Sequence, residues 1–440
     1  MCIRDRDDLE AALNLVLGKI SGEVSGSVTE VMQGGNVDMR LTLETNDLTQ
    51  SVAMFVPGLT AQEKSLFSGN ARVSAAMRGR PGRDLRLEDI DVTTRSSLLR
   101  LTASGAVSLV RPHRRGRTPS TQFQVLAETQ ALGDLVGLYD AKVPFEASAQ
   151  ARGVLTGSLG NFRIDDISIT AAGEHGSLSA NGFMERIGGA AAPWLEFTAR
   201  AETEVLGTLM RSYGMEFPYS GSAHAIGQVS GHPGDVHVRE LDIALSSDAT
   251  TVMASGSIGP LGEDTTFDLP FKIDTRNLAL VAEPFGFDVP ETAHAQMMGR
   301  LVGKENVLSV SGIELSIASD LIKLTAEGDV GPIGEAAVLN MPVTVQSDDL
   351  AGVMQLFDYE SPINGKVRLS AVLTGRFDAV GLEDVSAQLD SESGQFGAQG
   401  RVSHVGPDAE LELDINAVVP EIAQLESCLL YTSPSPRDRG

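Results

Sequence analysis

His232 and His237 flank a Gly-Asp turn, with Asp235 and Glu240 close by. Imidazole with carboxylate is a donor set that suits zinc. The pair occurs once and reads more simply as a polar turn between two strands. Three acidic doublets, Glu88-Asp89, Asp165-Asp166 and Glu383-Asp384, could supply a general acid and a general base. An enzyme needs one such pair. These recur at about the same place in a repeating pattern, and they read as the solvated side of a strand irregularity. The basic run from Arg111 to Arg117 could meet phosphate, and reads as a charged loop. No Gly-x-Ser-x-Gly, His-Glu-x-x-His, phosphate-binding glycine loop or Cys-x-x-Cys occurs. The chain is therefore read as a non-enzyme, with no catalytic residue, metal or cofactor.

The elements that would position these groups follow from composition and pattern. Acidic residues number 59 against 34 basic ones, a net charge of -25 that repels phosphate backbones and excludes nucleic acid as the expected partner. Hydrophobic residues make up 42%, enough for a core, whereas aromatics are only 5% and glycines number 46, which points to an aliphatic, turn-rich β protein. No apolar run approaches the roughly 18 residues of a membrane helix. Both cysteines, Cys2 and Cys428, lie in end segments that each contain Arg-Asp-Arg. Residues 1–6 and 428–440 are read as non-native ends, and the cysteine-free body fits an oxidising compartment.

The body repeats. Segments starting at Thr45, Thr129, Thr203, Thr275 and Ser347 follow one another at intervals of 84, 74, 72 and 72 residues. Three residues on stand Leu48, Leu132, Leu206, Leu278 and Leu350; seven further on stand Phe55, Tyr139, Tyr213, Phe285 and Phe357. Leu135, Leu209, Val281 and Val353 lie between. This spacing is one face of a short helix of about ten residues, with the hydroxyl residue as its N-cap. Pro144, Pro218, Pro290 and Pro362 end the helical stretch. The expected organisation is a partial repeat at 7–44, repeats at 45–128, 129–202, 203–274, 275–346 and 347–418, and the start of a truncated repeat at 419–427.

The remainder of each repeat alternates as strands do. One strand carries apolar residues at fixed offsets: Phe162, Ile164, Ile167, Ile169 and Ala171, then Val236, Val238, Leu241, Ile243 and Leu245. The set returns as Leu308, Val310, Ile313, Leu315 and Ile317, and as Val380, Leu382, Val385, Ala387 and Leu389. A step of two, then three, then two would turn the later residues to the opposite face, because side chains alternate with period two. A one-residue bulge at the long step keeps all of them on one face. A glycine follows at a fixed place, at Gly182, Gly256, Gly328 and Gly400.

The expected fold is mainly β: an elongated repeat array of antiparallel strands forming a curled, groove-like twisted sheet, with one short helix and about four strands per repeat. An apolar stripe left open along such a sheet would need a ligand. Acyl chains match it, since each buried methylene contributes about 0.8 kcal/mol and a 16-carbon tail on the order of 10 kcal/mol. Charged headgroups would stay outside.

The motif Ser/Thr-x-x-Leu-x-x-(Leu/Val)-x-x-x-(Phe/Tyr) followed by proline and glycine-rich strands stands here as TQALGDLVGLY at 129–139, with VPFEASAQARGVLTGSLGNFRIDDISIT from 143. It resembles the repeat region of the AsmA-like family of Gram-negative envelope proteins, whose relatives include TamB and YhdP, over essentially residues 7–427. The resemblance implies an inner-membrane tether, a β-groove in the periplasm, and phospholipid transport between inner and outer membranes. It implies phospholipid acyl chains, and inner- and outer-membrane envelope proteins, as partners. The groove-lining positions are the eighteen strand residues named above from Phe162 to Leu389, Ala171 and Ala387 excepted. The competing expectation is a scaffold for outer-membrane proteins acting by strand augmentation.

Overall fold

Residues alternating between aliphatic and polar favour extended backbone with one face in and one face out. The computed structural model shows the outcome. It describes residues 8–31, 34–53, 64, 68–81, 83–108, 121–138, 146–158, 161–189, 191–214, 221–262, 264–279, 293–304, 307–333, 338–355, 361, 363–376, 379–404 and 409–419. Among these are 23 strands of antiparallel sheet and four short helices. The protein is mainly β, as its composition suggests.

The chain divides into two units, residues 1–239 and 240–440. In the first, β1 (Leu9–Leu17), β2 (Ile20–Thr29), β3 (Asn36–Thr45), β4 (Gly69–Gly79), β5 (Arg86–Ser96) and β6 (Arg100–Ser108) pair in chain order. The ladder continues through β7 (Thr121–Thr129), β8 (Ala147–Ser158), β9 (Asn161–Gly173), β10 (Gly176–Ile187), β11 (Trp194–Thr203) and β12 (Ser222–His232). β13 (Asp235–Ser246) contains the boundary. The second unit runs through β14 (Thr250–Ile258), β15 (Thr266–Thr275), β16 (His294–Lys304), β17 (Val307–Ala318) and β18 (Lys323–Gly331). It ends with β19 (Val338–Ser347), β20 (Gly365–Arg376), β21 (Ala379–Ser391), β22 (Gly394–Val402) and β23 (Leu411–Val418), again paired in chain order.

Helices α1 (Leu48–Ala53), α2 (Leu132–Gly137), α3 (Leu206–Ser212) and α4 (Leu350–Gln355) follow β3, β7, β11 and β19. α2 and α3 are six and seven residues long, shorter than the spacing predicts, whereas the residues after Ala53 of α1 and Gln355 of α4 lie outside the described ones. Tyr213, expected on the apolar face of α3, caps its C-terminal end and is exposed. Phe55, Tyr139, Phe285, Phe357 and the four prolines lie outside the described residues, as do Cys2, Cys428 and the basic run at 111–117.

The hydroxyl residues do not cap helices. Thr45, Thr129, Thr203, Thr275 and Ser347 are buried, and each accepts a hydrogen bond from the backbone N–H two residues on, at 3.0 to 3.2 Å. They therefore shape the turn that leaves the strand. Asp47 and Asp349 perform the capping instead, accepting from the N–H groups of Gln50 and Gly352. Thr129 and Thr203 precede helices whose N-cap residues, Ala131 and Val205, offer no side-chain acceptor.

In the second unit, Ile313, Ala326, Leu339, Met341, Val343, Ala371 and Val385 form a buried cluster across five consecutive strands, β17 to β21. From strand to strand the cluster alternates between alanine and larger aliphatic residues.

Candidate functional site

Register decides which residues share a face. In the first unit, Leu101, Ala127, Ala151, Ile169, Ala180 and Ala199 stand opposite one another from β6 to β11. The adjacent row, on the reverse face, reads Thr102, Leu126, Arg152, Ser168, Asn181 and Thr198. In the second unit, Ile273, Met297, Leu315, Ala326, Val343 and Ala371 share a face. Its polar neighbour is Asp274, Gln296, Ser316, Thr325, Thr344 and Ser370. Each unit thus carries an apolar face and a polar face.

All eighteen positions expected to line a groove lie in strands β9, β13, β17 and β21. Ile167, Leu241, Ile313 and Val385, the residues just after the long step, are buried. The other fourteen are half-buried: Phe162, Ile164, Ile169, Val236, Val238, Ile243, Leu245, Leu308, Val310, Leu315, Ile317, Val380, Leu382 and Leu389.

The long step coincides with a change of register. Two residues of the bulged strand face one residue on each neighbour at Asp89, Asp166, Gly312 and Asp384. These residues take φ values of 50°, 51°, 60° and 50°, and Glu240 takes 48° in β13. Left-handed backbone is cheapest for glycine and tolerable for aspartate. That explains why an acidic residue or glycine stands just before the buried one. The N–H of Gly312 donates to Asp329 Oδ1 at 2.8 Å, tying the bulge to the next strand.

The acidic doublets therefore occupy bulges, and in two of the three a carboxylate faces an arginine. Arg78 contacts Glu88 and Asp89 at 3.1 and 3.5 Å, and Arg163 contacts Asp165 and Glu185 at 2.5 and 2.9 Å. The hydrogen bond from Arg163 to Asp165 raises the arginine pKa. Arg163 also lies 4.4 Å over the Phe183 ring. His232 and His237 are engaged apart: His232 meets the Pro193 carbonyl at 2.8 Å and the edge of Trp194, whereas His237 meets Asp235 at 3.0 Å. Among the described residues, no group of three or more potential metal-ligating side chains is placed to hold an ion.

A cavity of about 1340 Å³ lies against β5 to β10 in the first unit. Its lining comes mainly from the polar face, with Asp91, Thr102, Gln124, Arg152, Arg163 and Asn181 prominent. Of the eighteen groove positions, Ile167 alone borders it. A hollow of about 640 Å³ against β1 to β4 has the same character, with Glu10, Asp38, Arg40 and Arg78 in its wall. Sequence pattern gave no sign of either, because a polar row on a strand reads as a solvated face.

The chain matches no family model, no curated protein and no solved structure.

Proposed function

We propose that this chain is a lipid-binding segment of an AsmA-like envelope protein, acting in the periplasm and tethered to the inner membrane. Acyl chains lie along the apolar face while headgroups remain in water, and the segment supports phospholipid transport between inner and outer membranes. The observation that supports this reading is the cross-strand apolar rows, with fourteen of the eighteen aliphatic or aromatic positions only partly buried. A strip of hydrocarbon surface of that kind on a periplasmic protein calls for a ligand. A 16-carbon tail laid on it gains on the order of 10 kcal/mol before ordering costs.

The test is lipid extraction from the purified chain, followed by mass spectrometry. Replacing the equivalent residues Ile169, Ile243 and Leu315 by aspartate together is expected to remove co-purifying phospholipid while the strand signal in circular dichroism persists. Unchanged lipid in that variant would overturn the proposal.

A further inference from the structure

The hollow on the polar face of the first unit has a use of its own. At about 1340 Å³, it exceeds the roughly 300–1,000 Å³ of most small-molecule pockets. Two cross-strand rows make its floor. Thr93, Thr102, Leu126, Arg152, Ser168 and Asn181 form one, from β5 to β10. Asp91, Ser104, Gln124, Val154 and Asp165 form the other, from β5 to β9. With strands about 4.8 Å apart, a row that crosses six of them is about 24 Å long.

The polar groups on this floor are largely uncommitted. Among the described residues, the side chains of Thr93, Thr102, Ser104, Gln124, Ser168 and Asn181 make no hydrogen bond within the protein, and Arg152 has no ion pair. Hydroxyls and amides both donate and accept, and a guanidinium adds donors only. A ligand that displaces their water must return those hydrogen bonds, at a cost for every group left unmet. Hydrocarbon cannot do so. Charge narrows the choice further. Asp91, Asp165 and Asp166 outnumber Arg152 and Arg163 in the wall, and Arg163 is already engaged by Asp165 and Glu185. That balance repels a polyanion. A saccharide chain meets both conditions. Its hydroxyls donate and accept at close intervals, it carries no phosphate, and the C–H faces of its rings suit the apolar surface of Leu126 and Val154.

We infer that this hollow is a binding site for an uncharged, linear oligosaccharide laid across the strands, with Gln124, Arg152 and Asn181 bonding its hydroxyl and ring oxygens. The inference does not rest on lipid binding, because the acyl chains are assigned to the opposite face.

An immobilised array of uncharged tetrasaccharides and longer chains, probed with the full protein, tests it. The unaltered chain is expected to be retained, and the saccharide that retains it is then titrated by calorimetry. Gln124→Ala combined with Asn181→Ala, and separately Arg152→Met, are each expected to weaken that saccharide about tenfold. Gln296→Ala, on the polar face of the second unit, is expected to leave its affinity unchanged. Gln124, Arg152 and Asn181 are exposed, so the urea midpoint of these variants should not move. Should it fall, hydroxyl-radical footprinting of the unaltered chain decides instead, with protection by the saccharide expected on β6 to β10. No retention on the array, an affinity indifferent to the hollow variants, an equal loss in Gln296→Ala, protection elsewhere, or displacement of the saccharide by inorganic phosphate would each overturn the inference.

Discussion

Ile167 on β9 stands directly across from Gly182 on β10, and a Cβ on Gly182 would fall 1.9 Å from the carbonyl oxygen of Glu196 on β11. The same relation holds between Val385 and Gly400, where an added Cβ would meet the carbonyl oxygen of Glu412 at 1.9 Å. The strand beyond the glycine comes too close for any side chain. Gly182→Ala and Gly400→Ala are therefore expected to destabilise the fold by about 1–3 kcal/mol, the range for overpacking a filled site. Urea unfolding midpoints check this, and an unchanged midpoint would show that the neighbouring strand yields freely.

Asp166 holds the left-handed backbone of the bulge at φ 51°. Asp166→Gly is expected to be neutral or slightly stabilising there, whereas Asp166→Val should cost about 1–2 kcal/mol because a β-branched residue resists that conformation. Thermal unfolding of the two variants separates backbone strain from loss of charge, since both remove the carboxylate.

Thr275 is the most buried hydroxyl residue, 1% exposed, and its Oγ1 lies 2.7 Å from Thr250 Oγ1 while accepting the Asn277 N–H at 3.2 Å. Thr275→Val keeps the shape but leaves these groups without that partner, a loss of about 1–3 kcal/mol. Thr275→Ser retains the hydroxyl and should lose less. Denaturant midpoints in the reverse order would contradict the role assigned to the hydroxyl.

Ile313 belongs to the second unit's buried apolar cluster and is 5% exposed. Ile313→Ala is expected to cost about 2–5 kcal/mol. Ile317→Ala, at a half-buried position four residues along the same strand, is expected to cost less. Equal losses at the two sites would mean that the face is closed as tightly at Ile317 as at Ile313.

Arg300 grips Asp268 through two hydrogen bonds, at 2.5 and 2.7 Å, and holds that carboxyl below its ordinary range. A depressed folded-state pKa makes the pair's contribution present above the unfolded carboxyl value of about 4 and lost as pH falls through the folded value. Both side chains are about half exposed, so the effect on stability is small. In Arg300→Gln the Asp268 titration midpoint, followed by carboxyl NMR, is expected to rise towards the ordinary value. A midpoint that stays put would contradict the assigned cause.

The strand content was legible because alternation is enforced by burial of one face. The two-three-two step of Phe162, Ile164, Ile167 and Ile169 located a bulge for the same reason: without an extra residue, half of the row would turn to water. The recurring glycines were visible as a pattern, but their cause, a carbonyl from the next strand at 1.9 to 2.4 Å from a would-be Cβ, depends on three strands together. The hydroxyl residues misled because Thr129 followed by Leu132 has the spacing of a helix cap, whereas the hydroxyl serves the turn leaving β7. The polar hollow around Gln124 and Arg152 was hidden altogether, since curvature is set by backbone geometry and not by residue type.

Labelling with a fatty acid that carries a photoreactive diazirine in its tail, followed by peptide mapping, tests the proposed use of the apolar face most directly. Adducts are expected on residues of that face, such as Ile169, Ile243 and Leu315. Adducts confined to the polar side, around Thr102, Gln124 and Arg152, or no adduct at all on the folded chain, would contradict it.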